Sequence, residues 1–409
     1  MILKTKNETL SESQWQSLFN YPHPSPETRV SYLNSGSMSL SPTSVINKIQ
    51  NLRNEYEQNP TNGLFLAWPR MWQVQKDLAQ FFKSPAQNLF MRTNVTYVMN
   101  DFLMALQLPA GSEILTSDLE YGAIVKICEY KAKIQNHSFR MFSFYHKGTP
   151  ADQVSEDTLL ERLERSLSPK TKLVMLSHVM TGCGLRIPIE KIAKLLRQKN
   201  IFFAVDGAHG PGSNDLSFEN TAVDFYGSNL HKWIMGPKGT GFGYLAPHMR
   251  EHLQPQFAGW TTGEPPDHLK IFGEGDQWTS RWMINSTHQF ADFYAVSDAL
   301  NFWQETGREQ IFKRQQHLGQ YAAHKIEEKT GWKCLSLFKP EIRGPLMAFA
   351  LPEKITNLGF PFLFHLQKEH RLVVSMVVLQ GSWCLRVSPN VYNTENEIDQ
   401  AAKILASFA

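Results

Sequence analysis

The sequence is short of the features that mark secreted, membrane-spanning or metal-loaded chains. It holds only four cysteines, Cys128, Cys183, Cys334 and Cys384, spread over 409 residues. A disulfide framework is not expected, and a reducing, cytoplasmic setting fits better. No apolar run approaches the roughly 20 residues that a helical membrane span requires, so no span is expected. The opening Met1-Ile2-Leu3-Lys4 lacks the apolar core of a signal peptide. The 14 histidines are scattered, with neither HExxH nor paired CxxC spacing, and no metal site is expected. A net charge of only +3, with no basic arm or stripe, argues against a nucleic-acid partner. No internal repeat or low-complexity tract is visible.

What is present points to a large folded protein. The chain is 42% hydrophobic and long enough for two domains. Roughly the first 30 residues are polar, carry Pro22, Pro24 and Pro26, and read as an irregular arm. The middle alternates strands and helices. Ile114-Leu115-Thr116 reads as a short strand and Lys172–Val179 as an apolar strand with a polar end. After Pro188, Ile189, Ile192, Ala193 and Leu196 fall at i, i+3, i+4 and i+7, the buried stripe of a helix. Ile201–Val205 is a continuous apolar strand ending at Asp206, as a parallel sheet covered on both faces requires. From about Asp292 the pattern turns to helices, then to short strands around Pro345–Ala350 and Trp383–Val387, then to a last helix after Thr394. This suggests an arm over 1–45 that packs with the smaller domain, a large domain over 46–291 and that smaller α+β domain over 292–409.

Polar residues gather at the ends of the middle strands. His178 and Thr181 follow one, Asp206 and His209 the next, and Asn229, His231 and Lys232 a third. Ligands of open α/β sheets bind outside the carboxyl ends of the strands. A lone lysine is ordinarily a surface charge, but Lys232 lies among Leu230, Trp233, Ile234 and Met235, which would desolvate it. A neutral lysine attacks aldehydes, and an aspartate such as Asp206 can keep a pyridine nitrogen protonated. The pair suggests a pyridoxal-phosphate (PLP) site. His209 reads equally as a contact to the ring hydroxyl or as a turn residue. Arg92-Thr93-Asn94-Val95-Thr96 precedes a helix whose N-terminus would either bind an anion or simply be capped. Arg386 sits inside an apolar strand, where it would meet a substrate carboxylate or a structural acid.

These residues carry a resemblance. The chain resembles the class V members of the PLP-dependent fold type I superfamily, in their isopenicillin N epimerase-like and cysteine desulfurase-like branch. The matching segments are Tyr32–Ser37, Thr93–Thr96, Thr116–Ala123, Ser177–Val179, Val205–His209, Asn229–Trp233, Arg386–Pro389 and Tyr392–Thr394, in the family's order over nearly the whole chain. The resemblance implies an α/β fold: a large domain with a mainly parallel seven-stranded sheet, plus a smaller α+β C-terminal domain. It implies pyridoxal 5'-phosphate as cofactor, an amino-acid substrate, and a homodimer with active sites at the interface. Lys232 would hold the cofactor covalently and Asp206 would pair with its ring nitrogen. His209 and Thr181 would lie near the ring hydroxyl. Thr96, the Val95 amide, Asn229 and His231 would hold the phosphate. Tyr121 would stack on the cofactor face. Arg386, with Ser37 and Asn34, would bind the substrate carboxylate.

Three departures qualify the match. His370–Met376, where desulfurases carry a nucleophilic cysteine, has none, and Cys384 reads as structural, which disfavours a desulfurase. The partner-loop Gly-Thr pair is replaced around Thr279, Ser280 and Arg281, the candidates for a contact to the neighbouring phosphate. Tyr97 stands where relatives often have glutamate. Freed Lys232 would be the nearest base for the substrate α-proton. From there epimerisation with Tyr121 as acid, C–S lyase (β-elimination) chemistry and transamination all stay open. A non-catalytic relative of the fold is the alternative of a different class. Trp68, Trp260 and Trp278 are candidates to line an apolar substrate pocket.

Overall fold

The computed structural model describes residues 9–20, 30–253, 256–259, 261–262, 275–283 and 286–409. In chain order the strands are β1 (Ser31–Tyr32), β2 (Leu89–Arg92), β3 (Glu113–Ser117), β4 (Ser138–Phe142), β5 (Thr171–Ser177) and β6 (Phe202–Asp206). They continue with β7 (Phe225–Asn229), β8 (Gly241–Leu245), β9 (Met347–Ala350), β10 (Leu372–Val373), β11 (Ser375–Leu379) and β12 (Ser382–Val387). Seven of them form one sheet in the order β2-β8-β7-β6-β5-β3-β4. β8 runs antiparallel to both its neighbours, and the other pairings are parallel. The expected mainly parallel seven-stranded α/β sheet is therefore present. Leu173, Val174, Met175 and Leu176 of β5 have no exposed surface, because the sheet is covered on both faces.

The helix after Pro188 spans Ile189–Gln198 and buries Ile189, Ile192, Ala193 and Leu196, the stripe read from spacing. β5 and β6, which it joins, are parallel neighbours. Asn94 caps the helix Val95–Ala105 by accepting from the Tyr97 amide at 3.2 Å. Thr394 and Glu397 form a capping box at the start of the last helix, Glu395–Ala406.

The N-terminal segment departs from the expected irregular arm. Ser11 and Gln14 form a capping box that opens a short helix, Glu12–Ser17, and buried Trp15 anchors it in the main core. The cap signal is weak beside the three prolines, which fall outside the described residues. Further on, β1 pairs in parallel with β10, which ties this segment to the C-terminal part of the chain.

A second core gathers Leu33, Leu318, Ala322, Ala323, Ile326, Phe349, Leu366, Leu385 and Ile398 around the antiparallel sheet β11-β12-β9. The helix Val296–Thr306 packs into the first core through Leu300 and Trp303, although the sequence pattern changes near Asp292. The long helix Arg308–Thr330 bridges both, with Ile311 in the first core and Leu318 onward in the second.

The helix that presents Thr96 is held to the sheet by stacked rings. Phe102 and Phe225 of β7 lie 4.0 Å apart at 10°, and Phe102 is fully buried. Phe102→Ala is expected to cost about 3–5 kcal/mol of unfolding free energy, read as a lowered denaturant midpoint. A midpoint equal to wild type would show that this contact does not hold the helix.

Candidate active site

The carboxyl ends of β5, β6 and β7 lie side by side, so the three polar clusters meet at one edge of the sheet. There a cleft of about 860 Å³ opens between the sheet and the β11–β12 hairpin. Its lining includes Ser37, Val95, Thr96, Tyr121, Thr181, Asp206, His209, Asn229, His231, Lys232 and Arg386. Asn34 stands just behind, its Oδ1 accepting from Ser37 Oγ at 2.9 Å. The chain thus brings together the predicted lysine, aspartate, arginine and their neighbours from segments far apart in sequence.

Lys232 is the electrostatic centre. Its pKa is lowered to about 7, chiefly by burial, then by the Arg386 charge, with Asp206 opposing. Its Nζ lies 3.2 Å from His209 Nε2. Asp206 Oδ1 accepts from the Ala208 amide at 2.8 Å. Burial holds this carboxyl above its usual range, only partly offset by the Ala208 amide and Lys232. A cation set against Asp206 would recover that cost. The turn after Asp206 packs on Tyr226: a Cβ on Gly207 would stand 2.0 Å from the Tyr226 ring. Tyr226 in turn pairs its hydroxyl with His178 Nδ1 at 2.8 Å. His178 therefore supports the floor of the site and is absent from the cleft lining.

Arg386 is buried without an acid partner among the described residues. Its Nη1 donates to Thr181 Oγ1 at 2.9 Å, and its Nη2 donates to Ser37 Oγ at 2.8 Å and Asn34 Oδ1 at 3.4 Å. Its Nε is buried with no hydrogen-bond partner. Burial lowers its pKa to about 10, with Tyr121 opposing. Neutral oxygens orient the guanidinium but leave its charge uncompensated, which suits it to a carboxylate ligand. Gly36 permits this: a Cβ there would stand 3.3 Å from the Arg386 guanidinium carbon and 2.5 Å from Leu346 Cδ2.

The phosphate end differs from expectation in one contact. The Val95 amide donates to Asn229 Oδ1 at 2.9 Å and so is already committed. The Tyr97 amide is taken by the Asn94 cap. The Thr96 amide and hydroxyl and the Asn229 Nδ2 group then remain as donors for an anion at this helix N-terminus. His231 Nδ1 lies 3.3 Å from the Thr240 carbonyl, which leaves Nε2 for the cleft. Burial first, then Lys232, brings the His231 pKa down to about 4, so a bound anion would have to draw a proton onto this ring.

Several residues stand elsewhere. Trp68 is buried in the main core beside Trp72, and Trp278 packs on Trp282 under Arg250; neither lines the cleft. Trp260 lies outside the described residues. The aromatic wall is supplied instead by Trp383 and Phe360, 5.4 Å apart edge to face, with Met376 and Val378 beside them. Their position on a hairpin tip and a helix start gave no local signal. Thr279 and Ser280 are buried in their own chain, Thr279 Oγ1 accepting from Gln75 Nε2 at 3.1 Å, and with Arg281 they do not line this chain's cleft. Glu120, a cleft residue that the sequence reading passed over, accepts from Ser117 Oγ at 2.7 Å and from the Ser177 amide at 2.9 Å. Burial raises its pKa to about 8. All four cysteines are buried free thiols, and none lines the cleft.

The family model for class V aminotransferases matches residues 31–401. The chain belongs to that family. It is 29% identical over 379 residues to an isopenicillin N epimerase of Streptomyces clavuligerus, covering 91% of this chain and 93% of the relative. It is 22% identical over 383 residues to a hercynylcysteine sulfoxide lyase of Schizosaccharomyces pombe, covering 92% and 93%. Among solved structures, a C-DES mutant with glycine covalently linked to its PLP cofactor superposes with a TM-score of 0.82 at 23% identity, over 98% of this chain and all of that one. The architecture is that of PLP-dependent fold type I, and the cofactor is pyridoxal 5'-phosphate. The residues fit it: a buried acid lacking a full counter-charge, a lysine of lowered pKa, and free donors at a helix N-terminus.

A lysine is reactive when neutral, which for Lys232 holds above pH about 7. Capture of pyridoxal phosphate by cofactor-free protein should rise through pH about 7 and level off above it. An inflection near the ordinary lysine value of about 10.4 would contradict the desolvated lysine.

Proposed function

We propose that this chain is a PLP-dependent enzyme that removes the α-proton of an amino acid or amino-acid derivative, with Lys232 as base, and that it is of the epimerase or C–S lyase (β-elimination) type. The observation that carries this is the pairing of Arg386, a buried cation among neutral oxygens, with the deprotonation-prone Lys232 in one cleft. The two relatives whose names denote epimerisation and sulfoxide cleavage support the same chemistry.

Arg386 grips the substrate carboxylate through Nη1 and Nη2, in competition with Thr181 and Ser37. Lys232 accepts the α-proton. The cofactor, when bound, supplies the electron sink for charge developing at the α-carbon. Tyr121, which lines the cleft and lies within electrostatic reach of Arg386, is the candidate acid for the opposite face. Trp383, Phe360, Met376 and Val378 suit an apolar portion of the substrate. Buried thiols, with the Cys183 and Cys384 pKa values raised to about 11, disfavour persulfide-forming desulfurase chemistry. Transamination is the alternative outcome from the same deprotonation. We also propose a homodimer, in which Thr279, Ser280 or Arg281 completes the neighbouring phosphate site. The free thiols support the cytoplasmic setting. Among the described residues no helix is long and apolar enough to cross a membrane, and no His/Cys/Asp/Glu group is arranged to hold a metal ion.

Holoenzyme in heavy water, offered L-amino acids and S-substituted cysteines, is expected to place deuterium at the α-carbon of its substrate. Lys232→Ala should lower that rate about 10²–10⁴-fold. Arg386→Met should raise KM about 10–100-fold, the worth of a charged hydrogen-bonded contact. D-isomer, pyruvate with ammonia, or keto acid then distinguishes epimerase, lyase and aminotransferase. A panel with no α-exchange at all would overturn the proposal.

A further inference from the structure

The most informative contact outside the expected set lies behind His209. The indole Nε1–H of Trp233 donates to His209 Nδ1 at 3.2 Å. An indole N–H is a donor only, so Nδ1 must accept. A neutral imidazole carries one N–H, which leaves that proton on Nε2. We infer that Trp233 is a positioning residue that fixes His209 in its Nε2–H form, making it a proton donor toward Lys232 and Thr181.

The consequences follow from donor arithmetic. His209 Nε2 lies 3.2 Å from Lys232 Nζ and 3.2 Å from Thr181 Oγ1. Toward a donor, Lys232 can only offer a lone pair, and only the neutral amine has one. Thr181 Oγ1 already accepts from Arg386 Nη1 at 2.9 Å. The one Nε2 proton is shared between Lys232 Nζ and Thr181 Oγ1, and the Thr181 O–H is left to point into the cleft that it lines. The other form of His209 would reverse this: a bare Nε2 would accept from the Lys232 ammonium and favour its charged state. Trp233 denies that form, and so helps keep Lys232 a base.

The surroundings keep the arrangement in place. Trp233 is fully buried and packs with Val179, from the loop after β5, and Leu346, just before β9. Lys232, Arg386 and His231 face His209; burial first, then Lys232, Arg386 and His231 wherever they carry a proton, hold it well below the ordinary imidazole range, so a second proton does not relieve the constraint. Arg386 and Asp206 are the charged groups that act on Lys232.

The statement about His209 stands by itself, whereas its effect on Lys232 as base rests on the proposed α-proton chemistry. In holoenzyme labelled with ¹⁵N-histidine, the His209 signals are assigned by their loss in His209→Gln. The wild-type spectrum is expected to show a protonated Nε2 and a bare Nδ1. A protonated Nδ1 in wild type overturns the inference whether or not any variant folds. In Trp233→Phe, the Nδ1–H form should appear. The midpoint of the pH profile for α-deuterium exchange should then rise by about one unit, a roughly tenfold loss of rate below it, with KM little changed. An unchanged His209 spectrum together with an unchanged pH midpoint in Trp233→Phe also overturns it. Correct ¹⁵N signals with no α-exchange on any substrate would uphold the role of Trp233 and reject the proposed reaction instead.

Discussion

Two cations share one desolvated cleft, and the rest of the site is arranged around that cost. Arg386 keeps its proton under all ordinary conditions, so the lysine is the partner that yields. Burial and the neighbouring guanidinium act in the same direction on Lys232, and Asp206 is too weak a counterweight to reverse them. A neutral lysine beside a permanent cation is what a site needs if it must bind a carboxylate and also act as a base. Had a second acid paired with Arg386, the charge of its guanidinium would have been compensated and the pressure on Lys232 relieved. Thr181, Ser37 and Asn34 orient the guanidinium with neutral oxygens, and so keep its charge available.

The scaffold supplies this arrangement through close approaches between two sheets. Thr181 stands on the loop after β5, and the same loop is pressed against the strand region of the smaller core. The Gly344 amide donates to the Gly184 carbonyl at 2.7 Å, and the Arg186 amide to the Ile342 carbonyl at 2.8 Å. Gly184 takes φ +71, and a Cβ there would stand 2.5 Å from the Leu346 carbonyl oxygen. β12, which carries Arg386, pairs with β9 immediately after Leu346. Arg386 and Lys232 therefore belong to different sheets, but Thr181 is held to both, and its hydroxyl is the meeting point of Arg386 and His209.

The chemistry was more legible in the sequence than the geometry that organises it. Asp206, Lys232 and Arg386 stand out because a charged residue at the end of an apolar strand, or inside one, needs a reason to be there. The parallel sheet was legible for a related cause: Ile201–Val205 and Leu173–Leu176 are apolar without alternation. Directional contacts were not. Nothing in Asn229 or Val95 announces that the asparagine side chain will occupy the amide expected to hold phosphate. Trp233 reads as one more apolar neighbour of the lysine until its N–H is seen aimed at His209. Trp68 and Trp278 went to packing, while Trp383 and Phe360, brought in by the hairpin and a helix start, form the wall of the cleft. The N-terminal helix was hidden because a single capping box competes poorly with three nearby prolines as a signal.

The distribution of thiols narrows the chemistry in a way that the acid–base residues do not. A persulfide carried on the enzyme itself needs a nucleophilic cysteine at the cleft, whereas Cys128, Cys183, Cys334 and Cys384 are all buried away from it, with their pKa values raised mainly by burial. Activating a thiolate requires the opposite surroundings, partial exposure beside cations. The cations here surround Lys232 instead. With a cysteine nucleophile disfavoured, the proposed chemistry rests on Arg386, Lys232 and Tyr121, which share the cleft. Epimerisation and β-elimination share the α-proton transfer proposed for Lys232. They then part on whether the substrate carries a leaving group at its β-carbon. On the proposed reading the choice between them falls mainly to the ligand, and the chain's part in it would be the apolar wall of Phe360, Met376, Val378 and Trp383 beside Lys232.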